Sequence, residues 1–393
     1  MRTSTTDPRP RVLHLTQPVE GGVARVVTDL VRAQLTAGLA VTVACPDGAL
    51  TTGLRQLGAD VRHWHATRSP GPSLVREVRH LARVIDDVRP HLVHAHSAKA
   101  GLAGRLAVRG RIPTVFQPHA WSFEATGGAA SALARVWERW GVRWASQVVC
   151  VSEAERMTGM HAGIRGRWSV IPNGVDLQRF RPASPGTVRA GLRPLRDVDP
   201  AAPLVVCVGR LCRQKGQAVL LRAWSSVARR VPGAHLVLVG DGPDRDRLRA
   251  YAPRSVLFTG AVADVVPWYQ AADLVVLPSR WEGMALAPLE AMACGRPVVA
   301  TDVDGARESL PLSLAPHCLV PPGNPATLAR ALTELLLDPP LRASLGRQGL
   351  QYVLSSHDVR HTAEAVTDVY RHLIGVRPDP RVAPPQHRES IHP

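Results

Sequence analysis

Two carboxylates and two cations carry the chemistry this sequence can be read for. Glu282 and Glu290, with seven residues between them, lie in the stretch DLVVLPSRWEGMALAPLEAMACGRPVVAT, Asp273 to Thr301. A carboxylate is a strong acceptor for paired hydroxyls. A helix N-terminus offers free N–H groups and a positive dipole end to an anion. A segment holding both can bind hydroxyls and a phosphate together, the combination that makes up a nucleotide-sugar. Either Glu alone reads equally as a dipole-favouring helix residue or a solvated loop residue. Upstream, Arg210 and Lys215 stand five apart around a glycine turn and can grip a diphosphate from two sides. Only two of the 48 basic side chains are lysine, Lys99 and Lys215. In a chain that otherwise writes Arg, a Lys marks a position needing a compact point charge.

The elements that must position these residues follow from the apolar pattern. Leu274–Leu277 and Val298–Ala300 read as buried strands. Between them a helix is opened by Pro288 in its first turn, with Glu290 beside it, and closed by Gly295 and Pro297. The loop 278–287 then lies outside a strand's carboxyl end, where parallel sheets bind ligands. The same alternation runs along the chain. Arg11–Thr16 leads into Glu20-Gly21-Gly22 and a helix Val23–Ala37, with Arg25 one turn in. Pro113–Gln117 leads into Pro118-His119, Gln147–Val151 into a helix begun at Ser152 with Glu155 completing a capping box. Leu204–Val208 leads into Gly209-Arg210, and Val256–Gly260 into the loop holding Val262. Strands alternating with helices predict an α/β fold with parallel sheets.

At 393 residues the chain suits two domains. We expect a first domain over 1–180, a proline-rich linker in 182–203, a second domain over 181–355, a helix in 356–374 and a disordered tail over 375–393. Net charge is +16, of which residues 1–180 hold +10. The excess suits an acidic partner such as a membrane surface or lipid phosphate, or reflects an Arg-rich composition. Scattered Arg without an aromatic-rich stripe argues against nucleic acid. The six cysteines form no C-x-x-C pair, which points to a reducing compartment. The N-terminus lacks a signal-peptide core, and no stretch reaches the ~20 apolar residues of a membrane span. A cytoplasmic protein is expected, placed at the inner face of the membrane if the lipid reading holds.

Two other features invite a site. His91, His94 and His96 sit close together, but His94 and His96 share one strand face and His91 takes the other. With no carboxylate or Cys nearby, no metal is expected there. Trp137, Trp140 and Trp144 form a stripe beside Arg135, Arg139 and Arg143. The favoured reading is a core stripe beside a solvent stripe; the other is an interfacial membrane helix. There is no G-x-G-x-x-G, which counts against a dinucleotide enzyme.

The stretch Glu282, seven residues, Glu290, then Ala291-Met292-Ala293-Cys294-Gly295-Arg296-Pro297-Val298-Val299-Ala300 resembles the signature of the retaining family 4 glycosyltransferases. The resemblance extends to about residue 374. It implies the GT-B architecture, two Rossmann-like domains facing across a cleft, with the last helix crossing back to the first domain. It implies sugar transfer with retention from a nucleoside-diphosphate-sugar, UDP- or GDP-linked, by front-face displacement assisted by the leaving phosphate. Arg210 and Lys215 would clamp the diphosphate in place of a metal, so no cofactor is expected. Glu290 would hold ribose hydroxyls and Glu282 donor-sugar hydroxyls, with Gly283, Met284, Ala285 and Leu286 lining the donor loop and Val262 the base pocket. Gly21 and Gly22 would close over the phosphates, and His119 would contact donor sugar and diphosphate. Ala285 departs from the family, which has Gly there. Asp197-Val198-Asp199 and Asp302-Val303-Asp304 resemble the metal-holding D-x-D of the other large glycosyltransferase fold, in the wrong context. The His96-Ser97-Ala98-Lys99-Ala100-Gly101 stretch looks like that of members building surface polysaccharides. Lys99, His96 and Arg25 are therefore acceptor-side candidates, for a lipid-linked or polysaccharide acceptor presented at an anionic membrane. A soluble small acceptor and a non-catalytic nucleotide-sugar binder are the alternatives.

Overall fold

The computed structural model describes residues 9–67 and 70–375; the expected disordered tail falls, apart from Gly375, outside them. The apolar runs become two all-parallel sheets. The first holds β1 (Arg11–Thr16), β2 (Ala40–Cys45), β3 (Asp60–His63), β4 (Leu92–His96), β5 (Thr114–Gln117), β6 (Gln147–Cys150) and β7 (Trp168–Val170), in the order β3-β2-β1-β4-β5-β6-β7. The second holds β8 (Leu204–Val208), β9 (His235–Val239), β10 (Val256–Gly260), β11 (Leu274–Leu277), β12 (Val298–Thr301) and β13 (Leu319–Val320), in the order β10-β9-β8-β11-β12-β13. Strand order reverses between β1 and β4 and between β8 and β11. Those two switch points are where such sheets open a crevice for ligand.

Central strands are buried on both faces because helices cover both. Val205, Val206, Leu236, Val237, Leu238, Leu274, Val275 and Val276 are all fully buried. The second core closes around Trp224 and Tyr269. In the first sheet the helix Gly21–Thr36 covers one face together with the last helix, Val359–Ile374. That last helix inserts Ala363, Val366 and Tyr370 into the same apolar cluster as Val12, Val27 and Leu30. The chain passes between the sheets twice, side by side. Val175 N–H donates to His357 O at 2.8 Å and Val359 N–H to Val175 O at 3.1 Å.

The proline-rich segment 182–203 is folded rather than a free linker. It forms a helix Pro185–Gly191 and a 3₁₀ turn Arg193–Leu195. Pro185 sits in the first helical turn, where its missing N–H costs nothing. Arg189 pins the segment to the second sheet, with 2.7 Å to Asp273 and hydrogen bonds to the carbonyls of Ala271, Pro200 and Ala202.

Candidate active site at the carboxyl ends of β8 and β11

The switch point of the second sheet assembles the first set of residues. β8 ends in Gly209-Arg210, and a 3₁₀ turn Arg213–Lys215 brings Lys215 back toward the loop after β11. Gly216 allows that return. Its φ is +68°, and a Cβ there would lie 1.9 Å from Pro278 O, so only glycine fits. Lys215 Nζ lies 2.5 Å from Glu282 Oε1. The same oxygen accepts from Ser279 Oγ at 2.7 Å. Burial opposes the Lys215 charge, but the Glu282 carboxylate outweighs it and holds the ammonium pKa above its ordinary value. Arg210 is exposed at the turn, and its carbonyl accepts from Gln217 at the start of the following helix. One cation is thus paired within the loop and the other faces outward.

The helix after β11 runs Leu286–Ala293, starting before Pro288. Glu290 therefore lies beyond the first turn rather than within it. It is buried, and Tyr269 Oη donates to its Oε2 at 2.8 Å. Burial pushes its carboxyl up to about 7, against the lowering effects of the Tyr269 hydrogen bond and the Arg179 charge. Ala285 is the residue before this helix, with φ −69° and ψ 142°. That is ordinary extended backbone, so the family's glycine is not required here for conformation. Val262 is half-buried on the loop after β10.

The Gly283–Met284 loop is held from the first sheet's side. Ser152 Oγ donates to Gly283 O at 3.2 Å, and Asn173 Nδ2 to Met284 O at 2.7 Å. A Cβ on Gly283 would press on Val151, Ala120 N and the Glu155 carboxylate, all within 3.3 Å. Close by, Glu308 accepts from Glu153 N and Ala154 N, each at 2.7 Å. Its carboxylate caps the helix Glu153–His161, where negative charge is favoured. The two halves of the crevice are therefore joined beside the Gly283–Met284 loop.

On the first sheet, Gly21 and Gly22 open the helix Gly21–Thr36 and are exposed, with nothing within 4 Å of a Cβ at either. Arg25, one turn on, lies with its guanidinium 5.9 Å from the Phe180 ring centroid, near the chain crossing. His119 follows β5 in left-handed backbone, φ 54°, with Ala120 at φ 84°. Glu155 sustains that turn. Ser152 Oγ caps the helix by accepting from Glu155 N at 3.0 Å. The carboxylate, however, bonds Ala120 N at 2.5 Å and Val151 N at 2.8 Å. Half of the expected capping box forms, and the other half is spent on the His119 loop. Burial pushes the Glu155 carboxyl up to about 7.

Two acceptor-side expectations are corrected. Lys99 does not face the cleft: it is 4% exposed and its Nζ lies 2.7 Å from Glu77 Oε2. Glu77 also accepts from Ser73 Oγ and Thr67 Oγ1. A helix start near a strand end looked open in sequence, but the helix Leu74–Val88 packs over it. His96 is fully buried and hydrogen-bonded to His14. The histidine grouping also differs from expectation. Among the described residues His14, His94 and His96 bring ring nitrogens within 4.8 Å of one another, while His91 accepts from Arg11 N elsewhere. The Trp stripe splits. Trp140 is 45% exposed on the helix Gly128–Gly141, together with Leu133 and Val136, and Arg143 stacks on it at 3.8 Å. Of the D-x-D carboxylates, Asp302 pairs with Arg307 and Asp199 caps Ala201 N. Sequence reading gives no site role to Gln34, His14, Asn173, Tyr269 and Tyr370, and reads Glu155 as a helix cap alone. Only Glu155 carried a local signal, its spacing from Ser152.

Comparison with known proteins agrees with this geometry. Residues 20–179 match the family model described as Glycosyltransferase Family 4, and residues 202–338 that described as Glycosyl transferases group 1. The chain is 31% identical over 382 residues to the alpha-maltose-1-phosphate synthase of Mycolicibacterium smegmatis, covering 90% of this chain and 96% of that protein. It is 33% identical over 324 residues to the GDP-mannose-dependent alpha-(1-6)-phosphatidylinositol monomannoside mannosyltransferase of Mycobacterium tuberculosis, covering 78% and 80%. The crystal structure of Anabaena Alr3699/HepE with UDP and glucose superposes with a TM-score of 0.80 at 25% identity, over 93% of this chain and all of that one. With its two parallel sheets meeting at paired switch points, the chain belongs to the family 4 glycosyltransferases of GT-B architecture, enzymes that use nucleotide-sugars.

Proposed function

We propose that the protein transfers a sugar with retention from a UDP- or GDP-linked donor to a phosphate-bearing, lipid-linked acceptor, without a metal. The observation that carries the donor half is the Lys215–Glu282 pair beside exposed Arg210, with Glu290 one helix turn further in. A diphosphate arriving between Arg210 and Lys215 meets two cations and the free N–H groups of the helix Gln217–Arg230. Those groups suffice to stabilise the leaving diphosphate. Glu282 then loses part of its lysine and is available to a sugar hydroxyl, while Glu290 accepts from ribose hydroxyls.

The acceptor half rests on different residues from those expected. With Lys99 paired inside the fold, the surface that suits a membrane is the helix Gly128–Gly141. It exposes Leu133, Val136 and Trp140 beside Arg135 and Arg143, an apolar strip edged by cations as interfacial helices have. No helix among the described residues is long and apolar enough to cross a bilayer, so contact would be peripheral. The mannosyltransferase relative is named for a phosphatidylinositol substrate. A soluble phosphorylated acceptor is the second reading, favoured by the maltose-1-phosphate relative. Nucleoside diphosphate release should be measured over a donor panel with lipid and soluble phosphorylated acceptors, with and without EDTA, and the product anomer read by NMR. Activity that EDTA abolishes and Mn²⁺ restores, or an inverted product, would overturn the mechanism.

A further inference from the structure

The buried histidines of the first sheet have no part in the reading above, His119 apart. β1 and β4 pair with His14 beside His94 and Thr16 beside His96. All three histidines face the helices Gly21–Thr36 and Val359–Ile374, and all are fully buried. They are linked in a line. Gln34 Oε1 lies 2.8 Å from His14 Nε2, His14 Nδ1 lies 2.9 Å from His96 Nε2, and His96 Nδ1 lies 3.2 Å from His119 Nε2. Tyr370 Oη is bonded separately to His94 Nδ1, and His94 Nε2 has no hydrogen-bond partner among the described residues.

A metal is the first thing such a cluster suggests, and the geometry disfavours it. The nitrogens of His14 and His96 face each other at hydrogen-bond distance. The three-residue group contains no carboxylate or thiolate. A dication between a sheet and two apolar helices, with no countercharge, would carry a large desolvation cost. The imidazoles fit instead as neutral groups. Burial lowers His14 to about 4 and His119 to about 3, and takes His94 and His96 well below their ordinary value. A neutral imidazole has one donor and one acceptor nitrogen. In a line of them, the sense of the first hydrogen bond therefore sets every later one.

The first bond is set by Gln34. Its Oε1 can only accept, so His14 carries its proton on Nε2 and accepts at Nδ1. His96 must then donate from Nε2 and accept at Nδ1, and His119 must donate from Nε2. The opposite orientation of the Gln34 amide would reverse all three bonds. The orientation present has Oε1 toward His14, with the NH₂ left without a hydrogen-bond partner among the described residues. This leaves Nδ1 of His119 as the ring's acceptor, without a hydrogen bond among the described residues. The Glu155-braced turn fixes the backbone that carries the ring.

We propose that Gln34, His14 and His96 form a positioning chain that holds His119 in its Nε2–H form, leaving Nδ1 to accept a hydroxyl of the donor sugar. The hydroxyl's identity rests on the proposed function; the proton's position does not. The test is a two-bond ¹H–¹⁵N imidazole spectrum of the full, ligand-free chain near pH 7.5, assigned with His119→Gln and His96→Gln. All three of His14, His96 and His119 should show the Nε2–H pattern. Gln34→Met, which removes the acceptor, should give His119 a mixed pattern and lower kcat about tenfold, with donor KM changed less than twofold. Gln34→Glu, which restores an acceptor oxygen, should recover both. An Nδ1–H pattern at His119 in the unaltered chain, an unchanged pattern in Gln34→Met, or a stoichiometric bound metal in the purified protein would overturn the proposal. If Gln34→Met does not fold, the spectrum of the unaltered chain decides alone. The expected pattern in a chain that releases no diphosphate from any donor would uphold the positioning chain and sink the proposed function.

Discussion

Lys215 pairs with Glu282 and, in the proposed function, also grips the diphosphate, and mutation should separate the two. Glu282 is 7% exposed, and its two hydrogen-bonding partners at Oε1 are Lys215 Nζ and Ser279 Oγ. Lys215→Ala leaves that carboxylate buried with a hydroxyl alone. Breaking a fully buried pair costs about 3–5 kcal/mol. The Lys215 side chain keeps 23% of its exposure, and solvent screening brings the expectation down to about 2 kcal/mol. Adding Glu282→Gln removes the uncompensated charge, so the double variant should regain most of that stability. Turnover should not follow. A cation lost from a developing diphosphate costs about 3 kcal/mol, roughly a hundredfold in rate, and the double variant still lacks it. Denaturant unfolding and nucleoside diphosphate release, measured on the parent, both singles and the double, give the complete cycle. If the double variant recovers turnover along with stability, Lys215 is only the counter-ion of Glu282 and the diphosphate clamp is refuted.

Glu290→Gln should weaken donor binding, because an amide cannot accept two hydroxyls as a carboxylate does. The parent's donor affinity should fall as pH drops below about 7, where Glu290 takes up its proton, and the variant's should not; isothermal titration at pH 6 and 8 checks this. The stability sign is the reverse. A carboxyl whose pKa is raised by folding costs stability as pH rises, so Glu290→Gln should melt higher than the parent at pH 8 and not at pH 5. Leu133→Asp with Val136→Asp should abolish sedimentation with anionic vesicles at low salt and leave transfer to a soluble acceptor intact. Unchanged sedimentation would remove the helix Gly128–Gly141 from the membrane reading.

The residues of the candidate donor site come together as the sequence suggests because they are local. Glu282, Glu290 and the strand–loop–helix that carries them lie within one contiguous stretch. Arg210 and Lys215 share one turn. Where period and spacing suffice, structure and sequence agree: Arg11–Thr16, Leu204–Val208 and Leu274–Leu277 fall where the apolar pattern puts them. The errors have a common physical cause, a partner distant in sequence. Lys99 reads as facing a ligand because it is rare and its stretch resembles that of polysaccharide-building members. What fixes it is Glu77, on a neighbouring helix that no local pattern ties to it. The prolines of 182–203 read as a break because their local preference is against helix interiors. Arg189 reaching Asp273, far along the chain, is what folds that segment down.

The histidines make the same point from the other side. His94 and His96 were correctly put on one strand face, and the argument against a metal used only their immediate neighbours. His14 enters because β1 and β4 are adjacent in the sheet though separated by two strands in the chain. Gln34 and Tyr370 enter because the helices Gly21–Thr36 and Val359–Ile374 pack on that face. A polar cluster drawn from five separate segments has no period and no spacing for a sequence to display. It is visible only once topology has brought those segments together. The last helix thus does more than cover apolar surface: through Tyr370 it bonds His94, whose ring lies against those of His14 and His96. Its docking thereby sets the surroundings of the histidines that, in the proposal above, position His119.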